Sequence, residues 1–192
     1  MALDLVRVPP AGTWEQRRAH TFGLAESWVE PGTATPADAL RHLVRRYLRA
    51  FGPALAADVA SWTGLGITDV RPALDRLELR RFRDADGQTL VDVPRAPLPE
   101  ASVPAPVRFL PTFDAVLLVH ARCTGILPEH FRPLIFNTKM PQSVPTFTVN
   151  GRVAGTWRHE GRHVQLEPFE PLPRAARREA EDEAGRLSTF FA

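Results

Sequence analysis

Leu40-Arg-His-Leu-Val-Arg-Arg-Tyr-Leu-Arg-Ala-Phe-Gly-Pro53 decides the fold of this 192-residue chain, read on through Thr63-Gly-Leu-Gly-Ile-Thr-Asp-Val-Arg-Pro-Ala-Leu74 to Asp84-Ala-Asp-Gly87. Leu40, Leu43, Val44, Tyr47, Leu48 and Phe51 recur every three or four residues, which is one apolar face of a helix. Gly52-Pro53 ends it, because proline cannot continue a helix. A short second helix is expected from about Ala56 to Trp62, with Val59 and Trp62 facing inward. After the turn Thr63–Gly66, a third helix runs from Ile67 to Leu77, capped by Thr68, with Ile67, Val70, Leu74 and Leu77 as its buried stripe and Pro72 near its first turn. The period then changes. Leu79–Asp84 and Thr89–Val93 read as two strands joined by an Asp-Gly turn.

Three helices followed by a hairpin, with a tight turn between helices two and three, is the order of a winged helix-turn-helix. In that shape the third helix can enter the DNA major groove while the hairpin rests on the backbone. The candidate DNA-contacting residues are Thr68, Arg71, Arg76, Arg80, Arg81 and, on the wing, Arg83. Asp69 and Asp75 on the same surface repel phosphate, so the reading face is not uniformly basic. The competing reading is a protein-interaction module whose arginines are simply solvated.

The totals bound these readings. An apolar fraction of 44% is enough to bury a core, which sets disorder aside. A net charge of +2 is small for a dedicated nucleic-acid binder. Of 24 basic residues 23 are arginine, which suits forked contacts to phosphate and guanine but also follows from codon bias alone. Cys123 is the single cysteine, so an intrachain disulfide and a cysteine metal site are excluded and a reducing, cytoplasmic setting fits. No apolar run reaches membrane-spanning length.

Working outward toward the N-terminus, Thr13 to Val29 reads as a helix, with Thr13 and Gln16 forming a capping box. Leu5-Val-Arg-Val-Pro-Pro10 matches Leu90-Val-Asp-Val-Pro-Arg95. The second is the closing strand of a wing, so the first is expected to be one too, cut off from its partner, with its helices outside this chain. The expected organisation is therefore a remnant unit with a connecting helix over residues 1–32 and a winged helix over 33–95. A proline-rich linker over 96–106 and a β-rich domain over 107–192 follow.

Toward the C-terminus, Val107–Pro111 and Ala115–Val119 have strand length. Thr146–Val149, the Asn150-Gly151 turn and Arg152–Trp157 form the clearest hairpin, and His163–Glu167 adds a third strand. The fold class expected is α+β: a winged helix-turn-helix, then a small antiparallel β-barrel-like domain, then an amphipathic helix over Pro173–Phe191 carrying Ala176, Ala180, Ala184, Leu187, Phe190 and Phe191.

Chemistry is sparse. Asp114, set in an apolar run, is the candidate acid–base carboxylate, but it reads better as a buried partner of Arg108, Arg122 or Arg158. Lys139, a candidate Schiff-base amine, reads better as a surface residue. His159 and His163 lie on a hairpin, where their spacing does not gather them round a metal. Neither a metal nor a cofactor is expected. Arg158, with Arg152, Arg162 and His163, could form a phosphate-contacting strip.

Phe51-Gly-Pro-Ala54, Asp69-Val-Arg-Pro-Ala-Leu74, Phe109-Leu-Pro-Thr-Phe-Asp114, Asn150-Gly151, Gly155-Thr-Trp-Arg158, Pro168-Phe169 and Leu187-Ser-Thr-Phe-Phe191 together resemble the AlkZ-like family of winged-helix DNA glycosylases. The resemblance implies tandem winged helices and a β-rich C-terminal domain that clasp duplex DNA and remove alkylated or cross-linked bases. It also implies a Gln-x-Gln or Gln-x-Arg catalytic motif in an N-terminal winged helix. Gln16, Gln88, Gln142 and Gln165 give no Gln-x-Gln; Gln16-Arg-Arg18 has the second spacing, with a charged middle residue, in the wrong element. The chain is thus expected to correspond to the C-terminal portion, without the catalytic end. Its expected partners are duplex DNA and either a missing N-terminal winged-helix segment or a second copy, in the cytoplasm or on the nucleoid.

Overall fold

The computed structural model describes residues 4–11, 20–30, 32–136 and 143–191. They fall into two compact units, 1–39 and 40–192. Thr13, Gln16 and Lys139 lie outside the described residues.

In the first unit, strand β1 (Leu5–Arg7) pairs antiparallel with β2 (Phe22–Leu24) in the register Leu5↔Leu24, Val6↔Gly23, Arg7↔Phe22. The opening strand therefore has a partner within the chain, and over the described residues 20–30 the expected helix is replaced by β2 and a single 3-10 turn, Ala25–Ser27. Gly23 explains the change. Glycine weakens a helix interior, and a Cβ at this position would stand 2.9 Å from Trp28 Nε1 and 3.1 Å from Val8 Cγ1. The hairpin needs that bare Cα to let both side chains approach.

Helix α1 (Pro36–Phe51) begins at a Thr35–Asp38 box: the Thr35 hydroxyl accepts from the Asp38 amide at 3.2 Å and donates to its carboxylate at 2.6 Å. Helices α2 (Ala56–Thr63) and α3 (Ile67–Asp75) follow, then the hairpin β3 (Arg80–Arg83) and β4 (Thr89–Asp92). Gly64 closes α2 in the left-handed conformation at φ 70°, and Gly87 does the same in the β3–β4 turn at φ 76°. The core here is Val44, Tyr47, Leu48, Ala54, Val59, Val70, Ala73, Leu74 and Val91, joined by Val119 from beyond the proline-rich stretch. The three-and-four apolar spacing of α1 is thus its packing face, as the sequence implies.

Three local expectations are corrected. Gly66, not Thr68, precedes α3, and no side chain caps it. Pro72 lies inside the helix, so the Thr68 carbonyl loses its intrahelical partner. Trp62 and Ile67 are partly exposed, at 40% and 37%, because the tight turn swings both to the rim; Trp62 still packs its ring 5.2 Å from that of Tyr47.

The remainder of the second unit is built on one sheet of order β5-β6-β7-β8, formed by Arg108–Leu110, Thr146–Val149, Arg152–Glu160 and His163–Pro168. Asn150 and Gly151, at φ 50° and 75°, make the two-residue turn between β6 and β7. The sheet is open, not barrel-like. Helix α6 (Arg174–Phe191) packs on β8, and the edge amide of Val164 donates to Ser188 Oγ at 3.0 Å. A helix, not strand closure, covers that edge. Ala180 and Ala184 are buried on α6, whereas Phe190 is 82% exposed. Ala115–Leu118, expected as strand, is the short helix α4; a second short helix, α5, spans Arg132–Ile135. Leu110, Leu117, Cys123, Leu127, Ile135 and Val153 form the second apolar cluster.

Candidate nucleic-acid interface

Helix α3 buries Val70, Ala73 and Leu74 and turns Thr68, Asp69, Arg71, Asp75 and Arg76 to solvent. The split follows from the 3.6-residue repeat: burying every third and fourth residue leaves the intervening polar side chains outside. Arg80, Arg81 and Arg83 on the hairpin are also exposed. Their surroundings differ. Arg80 lies over the Phe82 ring at 4.9 Å and donates to the Ala96 carbonyl at 3.4 Å. Arg81 reaches Asp75 at 4.0 Å, with both side chains well exposed. Arg83 donates to the Gly87 carbonyl at 3.0 Å and so braces its own turn. The fold therefore brings Thr68, Arg71 and Arg76 onto one helix and Arg80, Arg81 and Arg83 onto the adjoining hairpin.

Arg158 does not belong with them. Its guanidinium contacts Glu160 at 2.8 Å, Glu167 at 3.1 Å and Gln165 Oε1 at 2.8 Å. Strand pairing of β7 with β8 places these acceptors around it, and two carboxylates cancel the charge a phosphate would need.

Asp114 is a cap. Its Oδ1 accepts from the Val116 amide at 2.9 Å at the start of α4, and it pairs with none of the expected arginines. Arg108 donates to the Val107 carbonyl at 3.0 Å instead, and Arg122 pairs with Glu129 at 3.2 Å. An acid whose oxygen is committed to its own helix is poorly placed to move protons for a substrate. Among the described residues, no group of three His, Cys, Asp or Glu side chains is placed to hold a metal, and no helix is long and apolar enough to cross a membrane.

A polar cluster that the sequence did not reveal ties the two apolar clusters together. Asp58, 6% exposed, accepts the Leu55 amide at 2.9 Å on Oδ2 and the Ala121 amide at 2.9 Å on Oδ1. His120 Nδ1 stands 3.6 Å from Asp58 Oδ2 and 3.2 Å from the Tyr47 phenol. The phenol hydrogen goes to the Val119 carbonyl at 2.7 Å. With that hydrogen spent on the backbone, the phenol oxygen is left as an acceptor facing His120 Nδ1. Burial alone pushes the Asp58 carboxyl up, but the neighbouring His120 ring and the hydrogen bonds from the Leu55 and Ala121 amides outweigh it and hold the carboxyl below its ordinary range. Burial, then the Asp58 charge, pushes the Tyr47 phenol well above its own. The groups are used up on backbone partners, so the cluster clamps residues 119–121 to α1 and α2. The signal in the sequence was faint: Tyr47 is the single tyrosine and falls on the apolar face of α1.

The geometry agrees with the likeness to known proteins. The structure resembles the Streptomyces sahachiroi DNA glycosylase AlkZ with a TM-score of 0.69 and 22% identity, over 88% of this chain and 48% of that one. The chain thus spans about half the length of the solved structure it matches. At that identity the likeness establishes the fold. A comparison with curated proteins gives no match. The family model for "DNA glycosylase AlkZ-like" matches residues 1–190, and the chain therefore belongs to the AlkZ-like DNA glycosylase family.

Proposed function

We propose that this chain holds duplex DNA, and that α1, α2, α3 and the β3–β4 hairpin act as a winged helix. The observation that carries the reading is the surface of α3. Its apolar residues are committed to the core, while Thr68, Arg71 and Arg76 face solvent next to a hairpin bearing Arg80, Arg81 and Arg83. Asp69 and Asp75 temper the field, and Arg81 is partly satisfied by Asp75. Binding should therefore rest on a few backbone contacts and depend steeply on salt. Membership of a DNA glycosylase family supports DNA as the partner. A cytoplasmic, nucleoid-associated protein is consistent with this role.

The test is duplex binding across a salt series for the native chain and for Arg71→Gln/Arg76→Gln. The slope of log affinity against log salt is expected to fall by about 1–2 in the variant, near one for each phosphate no longer neutralised. Absence of salt-sensitive duplex binding by the native chain would remove the proposal.

A second reading, removal of alkylated or cross-linked bases by a protein in which further sequence accompanies this chain, is favoured by the family match and by the half-length coverage of the AlkZ structure. None of the chain's glutamines forms Gln-x-Gln, and the described ones serve elsewhere: Gln88 bonds Asp84, and Gln165 bonds Arg158 and Glu160. The holding role is assigned to α3 and its hairpin; Gln16-Arg-Arg18, which has the Gln-x-Arg spacing, lies outside the described residues and is given no role. Incubation of this chain with alkylated duplex, followed by cleavage at abasic sites, separates the two readings.

A further inference from the structure

A cleft of about 610 Å³ opens at the root of the β3–β4 hairpin, away from its Asp84–Gly87 turn. Its sides are α1, the Leu77–Leu79 segment that leaves α3, and the Val93–Pro97 segment that leaves β4. Arg45, Arg49 and Arg95 line it, all three exposed, against a single acid, Glu78. Every arginine expected from sequence to meet DNA on the hairpin has a protein partner in the structure, as does Arg158. These three have none among the described residues. Arg45 and Arg49 are four residues apart on one helix face, where like charges destabilise a helix that has no counter-ion. The rest of the lining is largely apolar, including Leu77, Leu79 and Val93. Low-dielectric walls strengthen the field of the charges they surround. The cleft lies within the roughly 300–1,000 Å³ range of small-ligand sites.

We propose that this cleft is an organophosphate site. Its guanidiniums would grip one phosphate by forked hydrogen bonds, while the apolar wall packs the attached sugar. A bare inorganic anion would use the arginines and leave that wall idle. The same chemistry is offered by a phosphodiester of the duplex backbone and by a free nucleotide, and the backbone is the occupant assigned here. The site goes beyond the α3 surface and shares no residue with it.

The experiment titrates the native chain and Arg45→Gln/Arg49→Gln/Arg95→Gln with duplex DNA across a salt series, and with deoxyadenosine monophosphate and inorganic phosphate by calorimetry. The variant is expected to bind duplex about tenfold or more weakly, with a salt slope shallower by about one. It is also expected to lose any mononucleotide binding. An unchanged duplex affinity and slope overturns the cleft while leaving the α3 reading intact. If the native chain binds no duplex yet binds the mononucleotide, with loss in the variant, the duplex reading fails and the cleft stands as a nucleotide site. Binding of neither overturns the cleft. Thermal melts monitor the fold; should the triple variant unfold, Arg95→Gln, on the loop after β4, gives the same measurement.

Discussion

Tyr47 donates its phenol hydrogen to the Val119 carbonyl at 2.7 Å, so one bond joins the middle of α1 to a residue 72 positions later. Both partners are buried. Tyr47→Phe keeps the ring among Phe51 and Trp62 but leaves the carbonyl and His120 without the phenol. A destabilisation of about 1–3 kcal/mol is expected from an unsatisfied buried acceptor, measured as a lower denaturant midpoint with an unchanged slope. A midpoint equal to that of the native chain would show that the clamp adds nothing to stability.

Asp58 gives this clamp a pH dependence of known sign. Its carboxyl is held below the ordinary value of 3.8, so its contribution is complete above that value and declines as the pH falls through the folded-state value. Asp58→Asn is expected to destabilise the chain near neutral pH by about 1–3 kcal/mol, since an amide nitrogen would face a backbone donor. Its stability should also fall less steeply than that of the native chain as the pH drops below the ordinary carboxyl value of 3.8. Parallel acid limbs for the two proteins would contradict the assignment. At the alkaline end the raised Tyr47 phenol acts oppositely: its contribution is complete below the ordinary value of 10.0 and is lost as the pH climbs beyond it.

Gly155 sits in β7 opposite Phe147, and a Cβ there would lie 2.5 Å from the Glu167 carbonyl oxygen, 2.5 Å from Phe147 Cε1 and 2.7 Å from the Pro168 Cα. Two of these are backbone and cannot swing aside. Gly155→Ala is expected to cost about 1–3 kcal/mol through overpacking, whereas Gly161→Ser, in the open β7–β8 turn, should cost less. Comparison of their thermal midpoints checks the order.

Arg158 separates structure from function. Because Glu160, Glu167 and Gln165 already occupy its guanidinium, Arg158→Gln should leave the salt slope of duplex binding within the roughly 0.9 that one phosphate contact contributes. A larger drop would return the C-terminal hairpins to the interface.

The repeat of apolar residues along α1 and the Asn150-Gly151 and Asp86-Gly87 turns were legible because each depends on local chemistry: a 3.6-residue period, or a backbone that glycine alone adopts without strain. The same local logic placed Arg71 and Arg76 in solvent. It failed where a neighbour decided. Ala115–Leu118 has strand-like composition, yet Asp114 caps it into a helix. Phe22–Leu24 falls within a helical pattern, yet Leu5–Arg7 takes it as a strand.

The amino-acid order by itself determined which side chains turn inward and where the chain reverses, because those follow from period and backbone preference over a few residues. Only the tertiary structure decided that Arg158 is spent on acids while Arg45, Arg49 and Arg95 meet in one cleft, and that Asp58 and Tyr47 close on residues 119–121. Charge acts through space: pairing of β7 with β8 brings the acids round Arg158, and Tyr47 and Asp58 reach partners 63 to 73 residues away, beyond the reach of any local pattern.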